Sequence, residues 1–103
     1  MDIEQTIMEL LVAAGNARST SLMAIQAARK HDFEQAQALI EEAKAAINQA
    51  HKVQTALIGM DEGEGKLQVT LIVVHAQDHL MNAMVIQDLA QDLIELYRRT
   101  SDL

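Results

Sequence analysis

The stretch LQVTLIVVHAQDHLMNAMVIQDLAQDLIELYRRT, residues 67–100, decides the fold. Its β-branched beginning, VTLIVV, is compatible with a strand, but the pattern continues without a break into a long run rich in leucine, alanine and glutamine, which favours a helix. Residues 69–86 are apolar in nearly every direction around such a helix, and two neighbouring helices of a small bundle cover only about half of that surface. We therefore expect a helix over residues 67–100 that also contacts other copies of the chain in a cyclic homo-oligomer.

Two more helices are expected before this one. Residues 3–30 carry apolar or small side chains at three- and four-residue spacing, which predicts an amphipathic helix. Asp32 is a good N-cap, with Gln35 placed to complete a capping box, and the second helix follows and ends near Gly59. The segment GMDEGEGK, residues 59–66, contains three of the four glycines and is the one clear loop.

The composition agrees with an all-α fold and excludes several classes of function. The chain has 103 residues, no proline, tryptophan or cysteine, and one phenylalanine and one tyrosine. Three long helices with short connections predict an antiparallel, up-down-up three-helix bundle in a single domain, residues 1–103.

A net charge of −7 disfavours nucleic acid as a partner. An acidic amino terminus and the lack of a long apolar run predict a cytoplasmic protein with no membrane insertion.

Polar groups interrupt the apolar surface of the third helix. HAQDHLM, residues 75–81, places two histidines and an aspartate directly after an apolar run. At about 100° per residue, His75, Asp78 and His79 fall on one stripe together with Asn82. Because polar side chains are costly to bury without partners, these groups either satisfy one another or carry out chemistry.

Three interpretations of this patch are open. In the first, His75 and His79 are structural and are satisfied by Asp78 and Asn82. In the second, the two histidines bind zinc, because a spacing of four residues on a helix suits two ligands, although the sequence identifies no third. In the third, a neutral imidazole nitrogen attacks phosphorus, and the apolar surroundings slow hydrolysis of the resulting phosphoramidate.

Four segments resemble a known family. They are GNARSTSLMAI, residues 15–25, INQAHKVQTALI, residues 47–58, GEGK, residues 63–66, and LIVVHAQDHLM, residues 71–81. Together they resemble the enzyme IIA component of the lactose/cellobiose class of the bacterial sugar phosphotransferase system, and its cellobiose and chitobiose branch in particular. The resemblance extends over residues 7–98 and is most specific in the HAQDHLM segment.

The resemblance implies a function. It implies a cytoplasmic homotrimer of three-helix subunits, with nine helices in all. The resemblance implies a phosphotransferase component that accepts a phosphoryl group from the phosphocarrier HPr on one histidine. This component would then pass the group to the cognate IIB component. The IIB component would transfer it to a disaccharide of the lactose, cellobiose or chitobiose type that enters through the membrane component IIC. A structural, metal-centred trimer and a zinc protein with a His pair are the alternatives.

Roles can be carried over residue by residue. The phosphorylated histidine of the family falls on His75, through Nε2, and the metal-binding aspartate falls on Asp78. Three copies of Asp78 would meet on the trimer axis around a divalent cation, with magnesium implied, and a hard cation with oxygen ligands would offset the repulsion of three carboxylates. Gln77 and His79 match the family segment and could donate hydrogen bonds to phosphate.

Two further residues lie in segments that resemble the family. His51 is interpreted as a structural or capping group near the end of the second helix. Arg18 could pair with phosphate, but an ion pair with an acidic residue of a neighbouring helix is the preferred interpretation.

Overall fold

The computed structural model describes residues 2–101 and shows three helices. They are α1 (Ile3–Arg29), α2 (Phe33–Asp61) and α3 (Leu71–Thr100). Within the described range there is no strand, and the helical interpretation of VTLIVV is confirmed for residues 71–74, whereas Val69 and Thr70 precede the helix. Short connections reverse the chain twice, and the helices lie side by side in a bundle of 56 × 19 × 18 Å.

The connection between α1 and α2 is very short. His31 adopts a left-handed φ of 65°, and its N–H donates to the carbonyl of Ala28 at 2.9 Å. The Asp32 N–H donates to the carbonyl of Ala27 at 2.9 Å, which completes a Schellman motif. The Asp32 carboxylate accepts from the Gln35 N–H at 3.2 Å, so the predicted N-cap is confirmed. The full capping box is not formed, because the Asp32 N–H is already bonded to Ala27.

The connection between α2 and α3 is longer than the sequence predicted. Helix α2 continues two residues past Gly59 to Asp61, and α3 begins at Leu71 rather than at residue 67. Thr70 is extended, and its hydroxyl accepts from the N–H three residues further on at 3.4 Å, so it is the N-cap of α3. The Leu67 N–H donates to the Asp61 carboxylate at 3.1 Å, which holds this segment against the end of α2 instead of in a helix.

The core consists of two hydrophobic clusters. The cluster at the amino-terminal ends of α1 and α3 contains Ile7, Leu10, Ala14, Ala17, Ala50, Val53, Leu57, Val73, Ala76, Leu80 and Ala83. The second contains Ala24, Ala28, Ala36, Leu39, Ile40, Ala90 and Ile94. In the sequences of α1 and α3, Ser21 and Gln87 fall between the two clusters. Both are buried, and the Ser21 hydroxyl and the Gln87 amide nitrogen have no hydrogen-bond partner in the described part of the chain.

The face of α3 that is turned away from the core is apolar and exposed. Its exposed apolar residues are Leu71, Val74, Met81, Val85, Leu89, Leu93 and Leu96. Two methionines are exposed as well, Met23 on α1 by 51% and Met81 on α3 by 50%. The exposed face agrees with the expectation that a single bundle cannot cover α3. None of the helices described is long and apolar enough to cross a membrane.

Candidate functional site

The two histidines of the HAQDHLM segment lie side by side at the start of α3. His75 is exposed and His79 is half-buried, one turn further along the helix. Their ring centroids are 4.5 Å apart and the ring planes are at 89°, so one imidazole presents its edge to the face of the other. The arrangement leaves His75 accessible to another molecule and restricts its rotation through the contact with His79.

Asp78 lies on the same exposed face. Its carboxylate accepts a hydrogen bond from the Asn82 amide at 3.3 Å. His75 and Asp78 are the polar groups in a shallow depression whose other lining residues are Leu71, Ile72 and Val74. A nucleophile in such apolar surroundings meets less water than one on a polar surface.

Gln77 lies on the other side of α3. Two residues along a helix correspond to a rotation of roughly 200°, so Gln77 and His75 of one chain do not face the same point. Instead, the Gln77 side-chain oxygen accepts a hydrogen bond from the side-chain amide of Gln54 on α2. His75, Asp78 and His79 therefore lie on one face of α3, and Gln77 faces α2.

Sequence reasoning overlooked Gln54. It lies inside the INQAHKVQTALI segment and directly follows Val53, which is buried in the first cluster. A glutamine next to an apolar residue of the predicted second helix is the only signal that the sequence offers. The identity of its partner depends on how α2 and α3 pack, which a single sequence does not give.

The described part of one chain does not form a metal site by itself. Among residues 2–101 no group of three or more His, Cys, Asp or Glu side chains is placed to hold a metal ion. The zinc interpretation of His75 and His79 therefore has no third ligand in the described part of the chain. Asp78 supplies one exposed carboxylate, so a cation at this position would need Asp78 from other copies as well.

The other charged candidates are not part of this site. His51 is exposed and lies ten residues before the end of α2, so it does not cap that helix. Arg18 is exposed and takes part in none of the ion pairs formed among residues 2–101. The ion pair with an acidic residue of a neighbouring helix, which was the preferred interpretation, is therefore not formed within the described part of one chain.

Comparisons with known proteins agree with the resemblance over nearly the whole chain. Residues 5–98 match the family model described as PTS system, Lactose/Cellobiose specific IIA subunit. The chain is 44% identical over 98 residues to the PTS system N,N'-diacetylchitobiose-specific EIIA component of Escherichia coli strain K12, an alignment that covers 95% of this chain and 84% of the relative. It is 42% identical over 101 residues to the lichenan-specific phosphotransferase enzyme IIA component of Bacillus subtilis strain 168, with coverages of 98% and 92%.

Solved structures show the same similarity. The crystal structure of the PTS cellobiose-specific enzyme IIA from Bacillus anthracis superposes with a TM-score of 0.92 at 38% identity, covering 99% of this chain and 94% of that one. The solution structures of the IIA(Chitobiose)-HPr complex of the Escherichia coli phosphotransferase system include a chain with a TM-score of 0.85 and 42% identity, with 98% of both chains covered.

Proposed function

Because the chain belongs to the lactose/cellobiose-specific IIA family of the phosphotransferase system, we propose that it is a cytoplasmic phosphocarrier that accepts a phosphoryl group from HPr on His75. It passes this group to the cognate IIB component during uptake of a disaccharide of the lactose, cellobiose or chitobiose type. The observation that carries the proposal is the exposed His75 in an apolar depression, with the ring of His79 against it. The similarity to a IIA protein solved in complex with HPr supports HPr as the donor.

The chemistry requires one nucleophile and accurate alignment. The Nε2 lone pair of a neutral His75 attacks the phosphorus of the HPr phosphohistidine. The new N–P bond forms as the old one breaks, and the donor imidazole leaves with the electron pair. No net proton transfer is needed, because Nδ1 of His75 keeps its hydrogen until the phosphoryl group moves on. Such transfers pass through a loose, in-line transition state, so the protein contributes mainly positioning and electrostatics.

The exposed face of α3 supports assembly as a homotrimer. Leu71 is 85% exposed and Val85 is 56% exposed in one chain, and contiguous apolar surface of this kind marks a contact site. Three copies with parallel α3 helices around a threefold axis would cover this face and give a nine-helix assembly.

Such a trimer would also explain the position of Gln77. In a cyclic arrangement, one edge of each α3 meets the opposite edge of the next copy. His75 and Gln77 lie on opposite edges of α3, so Gln77 of one copy would approach His75 of its neighbour. Gln77 and His79 would then both be placed to donate hydrogen bonds to the phosphoryl group, one from each copy.

The same assembly would bring three Asp78 carboxylates together. They would lie in an apolar seam, where like charges repel one another and solvation is poor. A divalent cation with a preference for oxygen ligands, magnesium in our proposal, fits this donor set and would stabilise the trimer. Its role is structural, and the phosphoryl transfer described above does not pass through it.

The proposal is tested by reconstitution. The chain is incubated with phosphoenolpyruvate, enzyme I and HPr, and its intact mass is measured before and after a cognate IIB component is added. We expect one acid-labile phosphoryl group per chain, which then moves to the IIB component. A chain that stays unmodified beside active helper proteins would contradict the proposed function.

A further inference from the structure

We propose that Gln54 is a positioning residue for the phosphoryl site, acting through Gln77. It holds the Gln77 side-chain amide so that its NH₂ group points away from α2 and can donate to the phosphoryl group on His75 of the neighbouring copy. The inference rests on the proposed function and adds a residue on α2 to a site otherwise built from α3.

The hydrogen bond between Gln54 and Gln77 is unlike the others in the chain. It joins residues 23 positions apart, whereas every other hydrogen bond between two side chains of residues 2–101 joins residues three or four positions apart. It is therefore the one hydrogen bond between side chains that joins α2 to α3 in the described part of the chain. Both side chains are half-buried, so the bond is partly protected from water.

This pair lies at the level of the site. Val53, next to Gln54, is buried in the same cluster as Ala76, next to Gln77. His75 directly precedes Ala76 on α3. Gln54 therefore contacts α3 close to the site, and a substitution at Gln54 would affect the site rather than the second cluster.

The direction of the hydrogen bond determines what Gln77 offers to a ligand. An amide side chain has one accepting oxygen and one donating NH₂ group. The Gln54 amide donates to the Gln77 oxygen, so the Gln77 oxygen is occupied and its NH₂ group remains available. Phosphoryl oxygens only accept hydrogen bonds, and a charged acceptor strengthens the bond. The opposite orientation would present a carbonyl oxygen to the phosphoryl group and repel it.

Two substitutions separate these orientations. Gln54→Glu can only accept, so Gln77 must turn its NH₂ group towards α2 and its oxygen towards the phosphoryl group. Gln54→Lys can only donate, so it preserves the native orientation. We expect the single-turnover rate of transfer from phosphorylated HPr, at saturating HPr, to fall about tenfold or more in Gln54→Glu, as for a lost hydrogen bond to a charged group, and to stay within about threefold of the native rate in Gln54→Lys.

Controls separate this effect from charge and from folding. Thr55→Glu and Thr55→Lys place the same charges on the exposed neighbouring residue of α2, and we expect both to transfer at the native rate. In a Gln77→Leu background, the difference between the Glu and Lys variants at position 54 should vanish, because they act through Gln77. Thermal unfolding of each variant shows that it is folded at the assay temperature.

Three outcomes would overturn the inference. They are equal rates for Gln54→Glu and Gln54→Lys, a difference between Thr55→Glu and Thr55→Lys as large as that between the two Gln54 variants, and an effect of Gln54→Glu that persists without Gln77. If the native chain accepts no phosphoryl group at all, the proposed function itself fails, and that result is distinguishable because it precedes any comparison of variants.

Discussion

His75 and His79 are chemically the same but structurally different. His75 opens onto the depression beside Asp78, while His79 is half-buried and packs against the His75 ring. An attacking nitrogen needs a free approach to phosphorus along the line of the breaking bond, which the more exposed ring provides. We therefore assign the covalent step to His75 and orientation of its ring to His79.

Asp78 provides a test of the proposed cation. We expect magnesium to raise the midpoint of thermal unfolding of the native chain and a chelator to lower it, because a ligand that binds only the folded assembly stabilises it. Asp78→Leu should abolish this dependence and, without metal, unfold at a higher temperature than the native chain, because three repelling carboxylates are removed. An unfolding midpoint of the native chain that is the same with magnesium and with chelator would contradict the metal proposal.

Glu95 gives the chain a pH dependence near the end of α3. Hydrogen bonds from Arg99 and then Arg98, each 2.9 Å long, hold the pKa of the Glu95 carboxyl below its usual value of 4.5. A lowered folded-state pKa means that the stabilisation is present above about pH 4.5 and is lost as the pH falls through the lowered value. The effect is small and weakens with salt, because the pairs are exposed.

Urea unfolding of the native chain and Glu95→Gln measures this contribution. The native chain should be the more stable of the two near pH 7, and the difference should shrink as the pH falls below about 4.5. A difference that stays constant across this range would mean that the ionised carboxylate contributes nothing.

Among the elements, α1 and α3 are joined by an alanine-rich core with one polar layer. Ser21 and Gln87 are buried there, and the Gln87 amide nitrogen has no partner in the described part of the chain. An unsatisfied buried polar group costs about 1–3 kcal/mol. Gln87→Met keeps the length of the side chain and removes the amide, so we expect the free energy of unfolding to rise by about 1–2 kcal/mol.

Chemical denaturation measures the change in Gln87→Met against Gln26→Met, an exposed control on α1 that should leave stability within about 0.5 kcal/mol of the native value. A loss of stability in Gln87→Met would contradict the expectation. It would show that the amide has a partner in solution, such as a buried water molecule.

The three helices could be predicted from the sequence, but their ends and their outer contacts could be predicted only in part. Gly63 and Gly65, in the predicted loop, adopt φ values of 68° and 72°, which glycine allows without strain. The predicted start of α3 was too early, because the apolar pattern extends upstream of Thr70. Thr70 is the N-cap, and the helix begins at the next residue. The hydrogen bond between Gln54 and Gln77 could not be predicted from the sequence, because it depends on how α2 and α3 pack rather than on periodicity.

The proposed assembly as a homotrimer through α3 can be tested separately. Val85 lies on the exposed face of α3, and Val85→Glu would place three charges in the proposed seam. Charged residues are depleted from the centres of such interfaces, so we expect sedimentation velocity to show this variant as a monomer. Val12→Glu is the matched control, because Val12 is 68% exposed on α1, and it should remain trimeric. A trimeric Val85→Glu variant would contradict packing through α3.

The central claim is that His75 alone carries the phosphoryl group. The most direct measurement is the intact mass of the native chain, His75→Ala and His79→Ala after incubation with phosphoenolpyruvate, enzyme I and HPr. We expect one acid-labile phosphoryl group on the native chain, none on His75→Ala, and a slower but still measurable gain on His79→Ala. Phosphorylation of His75→Ala, or its loss in His79→Ala alone, would contradict the account.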